Sequence, residues 1–328
     1  RLRREAYLVQ GQQPQVYIWR QISYWSAQPH TYLPNQWELL EPSDWTPGLE
    51  AEPIDISQWH TPRRCTIRHY AQSITRYGHR SIIGDFQDYL DTLPSWEQTL
   101  LSHIQWTKAP FEIMHFLHHQ RQPGDHLVVV SDGSSIPTQT MSFGVVIGTR
   151  EGIQLVEAMG PAFGAPSSHR AECTGCLAGA LIIKHIQHYT RMAIPDDLEL
   201  TIVSDNQSMI NSLTARSTYA TPYPNSTLAP DWDLLEEIHF TYSSEWRGPR
   251  HIEWIRGHQD RVTTLEHLSV EAKYNIQADH LAGEYLVMVD GTPKVTTPIM
   301  SQTKCVLYLH MEAIHGQYTT AIRRATSE

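Results

Sequence analysis

The sequence predicts an α/β fold, a five-stranded mixed sheet flanked by helices, within residues 121–290 of a 328-residue chain. Three observations carry this expectation. Three short runs rich in β-branched residues follow one another, as in an antiparallel meander. Helix-period and strand-like segments then alternate, which is the pattern of parallel crossovers. The composition, 40% hydrophobic and 18% charged, is that of a globular protein, which excludes disordered, collagen-like and coiled-coil chains.

Residues 1–120 precede that fold as an irregular and helical connection region. Seven of the ten tryptophans lie there, and six prolines fall between Gln28 and Pro62. Frequent proline with weak periodicity predicts an irregular segment pinned by aromatic residues. A helical pair is expected near 82–106. Ile82, Phe86, Tyr89 and Leu90 recur at helical spacing, Leu93-Pro94-Ser95 interrupts, and Trp96, Leu100, Leu101 and Ile104 resume. His115, His118 and His119 follow without an HExxH pattern or a nearby cysteine, so they read as surface histidines in a linker rather than metal ligands.

The first strand of the sheet is expected at residues 126–131, ending at Asp132-Gly133-Ser134-Ser135. Residues 142–148 and 153–159 follow as a hairpin across the Thr149–Gly152 turn. A long helix spans about Ser168–Tyr189, with Leu177, Ala178, Leu181, Ile182 and Ile186 as its apolar stripe. Leu198–Val203 is the fourth strand and His251–Ile255 the fifth, separated by helices near Asn206–Leu213 and Trp232–Phe240. The last helix covers roughly Ser269–Val287. Residues 291–328 read as a Thr- and Pro-rich linker and a cut-off C-terminal extension. In it, Lys304–Leu309 is a strand, Met311–Ile314 its candidate partner, and Tyr318–Ala325 the start of a basic helix.

The formal charge of −10 is concentrated. Residues 121–290 hold 11 Lys/Arg and 21 Asp/Glu, whereas the rest of the chain holds 14 of each. Such a balance argues against strong binding to phosphate backbones, and it allows a site for divalent cations. Asp196, Asp197, Asp231, Asp233, Glu236 and Glu237 read as solvated helix starts and faces. Cys173 and Cys176 lack a second pair to complete a zinc site and read as small core residues. No apolar run approaches the ~18–20 residues of a membrane span. The chain opens on Arg rather than Met, without a signal-peptide pattern, which points to a piece of a longer translation product.

Four carboxylates stand where chemistry would place them. Asp132 and Asp205 end the first and fourth strands, and adjacent parallel strands would bring them to one sheet edge. Glu172 lies near the start of the long helix, and Asp279 lies inside the last one between the small residues Ala278 and Ala282. Taken singly, Asp132 and Asp205 are ordinary turn residues, and Glu172 is a helix-dipole partner. A lone buried carboxylate such as Asp279 is costlier to explain. Two carboxylates about 5 Å apart repel by roughly 3 kcal/mol at an effective dielectric near 20, and divalent cations convert that cost into binding.

The motifs Ser131-Asp132-Gly133-Ser134, Ser168-His169-Arg170-Ala171-Glu172, Val203-Ser204-Asp205-Asn206, Trp254-Ile255-Arg256-Gly257-His258 and Ala278-Asp279-His280-Leu281-Ala282 occur in this order. Over about residues 124–288 the chain resembles type 1 ribonuclease H, in the version fused to the reverse transcriptases of non-LTR-like retroelements. The resemblance implies a ribonuclease H-like sheet and hydrolysis of the RNA strand of RNA/DNA hybrids, leaving 5′-phosphate and 3′-hydroxyl ends. It implies two Mg²⁺ ions, with Mn²⁺ as a substitute, held by the residues matching Asp132, Glu172, Asp205 and Asp279. His258 matches an auxiliary histidine that assists proton transfer or product release. Gly133, Ser134, Ser168, His169 and Asn206 adjoin the site as candidate contacts to the hybrid. The implied partners are the hybrid and a reverse transcriptase region of the same polyprotein, with no membrane, at an intracellular site in nucleus or cytoplasm.

The chain departs from that family in two places. Gln259–Asn275 contains no glycine where many members carry a glycine-containing loop, and Arg216 is the single basic residue between Asn206 and Trp232, where some cellular members have a basic protrusion. No Tyr-x-Asp-Asp polymerase motif occurs. The alternative is a catalytically inactive hybrid-binding or scaffold remnant. An integrase or a proofreading exonuclease fits less well, because the former places Glu where this chain has Asp279 and the latter sets Asp and Glu close together on the first strand.

Overall fold

The computed structural model describes residues 85–289 apart from 123, 137–138 and 221–228, together with 2–7, 15–22, 36–40, 65–68, 298, 300–302, 306–309, 312–316 and 318. In chain order the strands are β1 (Leu2–Tyr7), β2 (Gln15–Ile22), β3 (Gln36–Leu40), β4 (Cys65–Arg68), β5 (His103–Trp106), β6 (His126–Ile136), β7 (Thr140–Thr149), β8 (Gln154–Pro161), β9 (Glu199–Ser204), β10 (Arg250–Trp254), β11 (Val306–Leu309) and β12 (Glu312–Ile314). The helices are α1 (Phe86–Leu90), α2 (Ser95–Leu100), α3 (Pro110–His119), α4 (Ser168–Thr190), α5 (Gln207–Ser217), α6 (Trp232–Glu245) and α7 (Val270–Met288). They divide into two compact units. One comprises Arg1–Ser81, Thr303–Ile314 and Thr319–Glu328, and the other comprises Ile82–Gln302 and His315–Tyr318.

The first unit holds two antiparallel three-stranded sheets, ordered β1-β2-β3 and β12-β11-β4. The segment between Gln28 and Pro62, expected to be irregular, contains β3, whose Gln36 to Leu40 pair with Ile22 to Ile18. The expected tail hairpin forms as β11 and β12, with β4 as a third strand. The expected basic helix over 318–325 lies outside the described residues except for Tyr318.

In the second unit the sheet order is β10-β9-β6-β7-β8-β5. The antiparallel meander β6-β7-β8 and the parallel additions of β9 to β6 and β10 to β9 are the expected topology. The sheet has six strands rather than five, because β5 joins it antiparallel to β8, with His103 to Trp106 opposite Met159 to Val156. The helical pair near 82–106 therefore stops early. α1 starts at a capping box on Asp85, Pro94 precedes α2, and the helix ends at Leu101. Ile104 and Trp106 then alternate at period two and pack on the core, so pairing along the β8 edge prevails over a helical continuation.

Helices cover both faces. α4, α6 and the elements from α1 to α3 pack on one face around Leu100, Leu117, Val129, Val145, Leu177 and Leu181. α7 packs on the other face through Tyr274, Ala278 and Leu281 against Val128, Val130, Val146 and Val203. The small Ala278 lets α7 lie close, and Ser142 donates a 2.6 Å hydrogen bond to the Ala282 carbonyl.

Several acidic residues expected to be solvated are buried and paired. The fully buried Arg170 guanidinium donates to Asp231 at 2.9 Å and to Asp233 at 2.7 Å and 3.0 Å. Arg216 binds both oxygens of Glu236 at 2.7 Å, and Glu237 accepts from Ser301 Oγ and the Gln302 amide. The start of α6 thus turns Asp231, Asp233, Glu236 and Glu237 inward, because each meets a donor from another segment: Arg170, Arg216 or Ser301 and Gln302. Asp196 and Asp197 are exposed, as expected.

Candidate active site

The β6–β9 register sets the first two carboxylates. Val130 lies opposite Val203, so Asp132 and Asp205, each two residues further on, emerge at the same end. β6 itself runs on to Ile136 along β7. Asp132 therefore marks the point where its parallel partner stops, rather than the end of its strand. Glu172 comes from the second turn of α4, which is capped by Ser167 accepting from the Arg170 amide. That helix start touches β6 directly. A Cβ at Gly133 would lie 2.4 Å from the Glu172 amide nitrogen, so glycine there is what lets Glu172 reach the strand end.

Asp132, Glu172 and Asp205 converge, with one carboxylate oxygen of each within 4.8 Å of the others. Asp132 and Glu172 are 6% and 4% exposed. Ser204 Oγ donates to Glu172 at 3.2 Å, and the Gly133 amide donates to Asp132 at 2.7 Å. Asp279 stands beside this triad rather than within it. Its side chain is 49% exposed and its Oδ2 lies 3.6 Å from His258 Nδ1. The expectation that Asp279 is buried is corrected: the position faces the open rim, so its charge keeps contact with water. His258 is also 49% exposed, in the left-handed region with φ of 50°, just before a 3₁₀ turn at Gln259–Arg261.

The triad is electrostatically strained in its metal-free state. Burial pushes the Asp132 carboxyl up to about 6, with the charges of Asp205 and Asp279 adding to the rise and a hydrogen bond with Glu172 opposing it. Burial, followed by the Asp132 charge, raises Glu172 well above the carboxylate range. Burial also raises Asp205; His258 opposes the shift and Asp279 reinforces it. Three converging, desolvated carboxyl groups favour either protons or a cation. Their all-oxygen donor set fits a hard divalent ion such as Mg²⁺ or Mn²⁺.

The other candidate residues are in different states. Ser134 is half-buried on β6, and Ser168 is exposed in the first turn of α4. His169 Nδ1 lies 2.8 Å from Asp231 Oδ2. The Asn206 side chain caps α5 by accepting from the Met209 amide at 3.0 Å.

Sequence reasoning missed the clamp on Arg170. A signal for it was present, since Arg170 and Thr174 continue the buried stripe of Leu177 and Leu181 at steps of four and three. Cys173 and Cys176 are buried free thiols, and burial pushes Cys176 up to about 12. Both are small core residues, as expected. His115, His118 and His119 are exposed on α3, and among the described residues only the Asp132 triad groups three metal-ligating side chains. Also among the described residues, no helix is long and apolar enough to cross a membrane.

No protein-family model matches the chain, and a search of curated proteins returns no match. Similar solved structures include the N-terminal RNase H domain of rv2228c from Mycobacterium tuberculosis, fused to maltose-binding protein. It is 18% identical, with TM-score 0.34, over 50% of this chain and 94% of that one. LC11-RNase H1 in complex with an RNA/DNA hybrid is 14% identical, with TM-score 0.33, over 49% and 97%. The solution structure of the PFV RNase H domain is 16% identical, with TM-score 0.32, over 50% and 96%. Likeness at this level carries no functional conclusion, which rests on the side chains.

Proposed function

We propose that the chain is a divalent-metal-dependent endonuclease that hydrolyses the RNA strand of RNA/DNA hybrids, as part of a retroelement polyprotein. The observation that carries this reading is the convergence of Asp132, Glu172 and Asp205 within 4.8 Å, with Asp279 and His258 paired beside them. These are the five residues that the resemblance to type 1 ribonuclease H assigns to the site, and they come from five separate elements.

Asp132, Glu172 and Asp205 are the core ligands, and Asp279 completes the set from the rim for a second ion. Bound there, two such ions would supply an activated water and stabilise the leaving oxygen of a phosphodiester. The protein's own groups do the rest. Ser204 Oγ and the Gly133 amide fix the orientations of Glu172 and Asp132. Asp279 lies on the Nδ1 side of the His258 imidazole, which leaves Nε2 as the ring atom to take or give a proton. In this reading Ser134, Ser168, His169 and Asn206 are the contacts to the sugar-phosphate backbone or a 2′-hydroxyl.

A hybrid-cleavage assay under Mg²⁺ and Mn²⁺ titration tests the reading. Cleavage is expected to require metal, to act on RNA/DNA rather than on single-stranded or duplex DNA, and to fall by at least about 10³-fold in Asp132→Asn, the scale on which removal of a central charge-stabilising group is felt. Full activity in EDTA would overturn it. A normal fold with no calorimetric metal binding would favour the inactive remnant.

A further inference from the structure

Beyond β10 the chain runs from Trp254 to His258 along the rim of the carboxylate cluster. Exposure alternates: Trp254, Arg256 and His258 are exposed, while Ile255 and Gly257 are half-buried. This period of two turns Trp254 and Arg256 outward together. The segment is held against Asp205. Trp254 Nε1 donates to the Asp205 carbonyl at 2.8 Å, and a Cβ at Gly257 would lie 2.0 Å from Asp205 Oδ2.

Trp254 is 47% exposed, an unusual state for so large an apolar ring. It is anchored by its N–H rather than by burial, which leaves ring surface for a partner. Arg256, like Arg247, Arg250 and Arg261, makes no ion pair among the described residues, whereas Arg121, Arg150, Arg170 and Arg216 each hold a carboxylate. What sets Arg256 apart is its place: a guanidinium two residues from a fixed indole, on a segment held against Asp205, is complementary to a polyanion whose backbone also offers apolar sugar faces.

We infer that Trp254 and Arg256 form a strand-gripping subsite, in which the indole packs on a sugar of one strand of the duplex and the guanidinium takes a backbone phosphate next to the cleavage site. This deepens the nuclease reading and rests on it. Contacts to sugar and phosphate fix register without reading bases.

The test is steady-state hybrid cleavage by the full chain at several salt concentrations, with melting curves as a check on folding. Trp254→Ala is expected to raise KM by about 10- to 100-fold, the range of one large apolar side chain losing its covered face, with little change in kcat. Trp254→Phe keeps an aromatic ring without the N–H and should recover most of the loss. Arg256→Gln should reduce the slope of log KM against log salt by about 1, and Arg256→Lys should restore it. Unchanged KM and salt slope in well-folded variants of a cleaving wild type would overturn the subsite and leave the nuclease reading intact. So would a loss confined to kcat, or a failure of Trp254→Phe to rescue, because the indole would then only position Asp205. A wild type that neither cleaves nor binds hybrid under Mg²⁺ or Mn²⁺ would overturn both.

Discussion

Asp132 shows how the site's cost is distributed. Its carboxyl is held at about 6 against an ordinary 3.8, so between those values the fold keeps a proton that the unfolded chain has released. The metal-free fold therefore loses stability as pH rises from about 4 to about 6, by up to roughly 3 kcal/mol at 1.36 kcal/mol per pKa unit. His185 acts in the opposite sense. Fully buried between the Tyr89 hydroxyl and the Glu97 carboxylate, it is pushed down to about 4, so its contribution is present above pH 6.5 and lost as pH falls toward 4. The Asp132 part is isolated by subtraction. In EDTA, the melting temperature of the wild type relative to Asp132→Asn should fall across pH 4–6, and Mg²⁺ should cancel the fall at neutral pH. Parallel pH profiles for the two proteins would refute this account.

At the scale of elements, α4 carries both the site and the clamp that orients it. Arg170 and Glu172 are neighbours on one turn. The Arg170 side chain binds Asp231 and Asp233 at the start of α6 and the Phe163 carbonyl before α4. Arg170→Met leaves Asp231 and Asp233 buried with only His169 and His315 beside them, a loss of about 3–5 kcal/mol. It should lower the urea midpoint strongly, and Asp233→Asn in the same background should recover part of the loss. Additive effects of the two changes would show that the groups are not coupled. Such pairing explains why the acidic start of α6 was misread. Asp231-Trp232-Asp233 has the composition of a solvated helix start, and only the tertiary position of Arg170 reveals otherwise. The helices and strands that follow their own periodicity, such as α4, α7 and β6 to β10, were readable within a few residues. β5 was not, because four residues are too few to separate period two from period 3.6.

Across the whole molecule, α1, α2, β5 and α3 belong to the core of the second unit. Leu100, Leu101, Met114 and Leu117 are each at most 2% exposed, and β5 occupies the edge of β8. A chain beginning at residue 121 would uncover that surface and free the β8 edge, a template for aggregation. It should be insoluble or fail to melt cooperatively, whereas a chain beginning at residue 82 should melt as one transition. Equal melting of the two by calorimetry would show that α1 to α3 are dispensable. The convergence of Asp132, Glu172 and Asp205 was more readable from sequence than this boundary, because the β6–β9 register and the start of α4 against β6 fix it. The role of residues 85–119 depends on packing partners more than 50 residues away in sequence.

The pairing of β4 with β11 joins Cys65–Arg68 to Val306–Leu309, and everything between them is enclosed in one loop. For a flexible chain of that length, closure costs roughly 5 kcal/mol on the (3/2)RT ln n scale. A ladder of four residues returns less than that, at about 1 kcal/mol net per hydrogen bond. The enclosed unit must collapse before the ladder can close, so order of assembly follows from topology: the six-stranded sheet comes first, and β4 and β11 meet last.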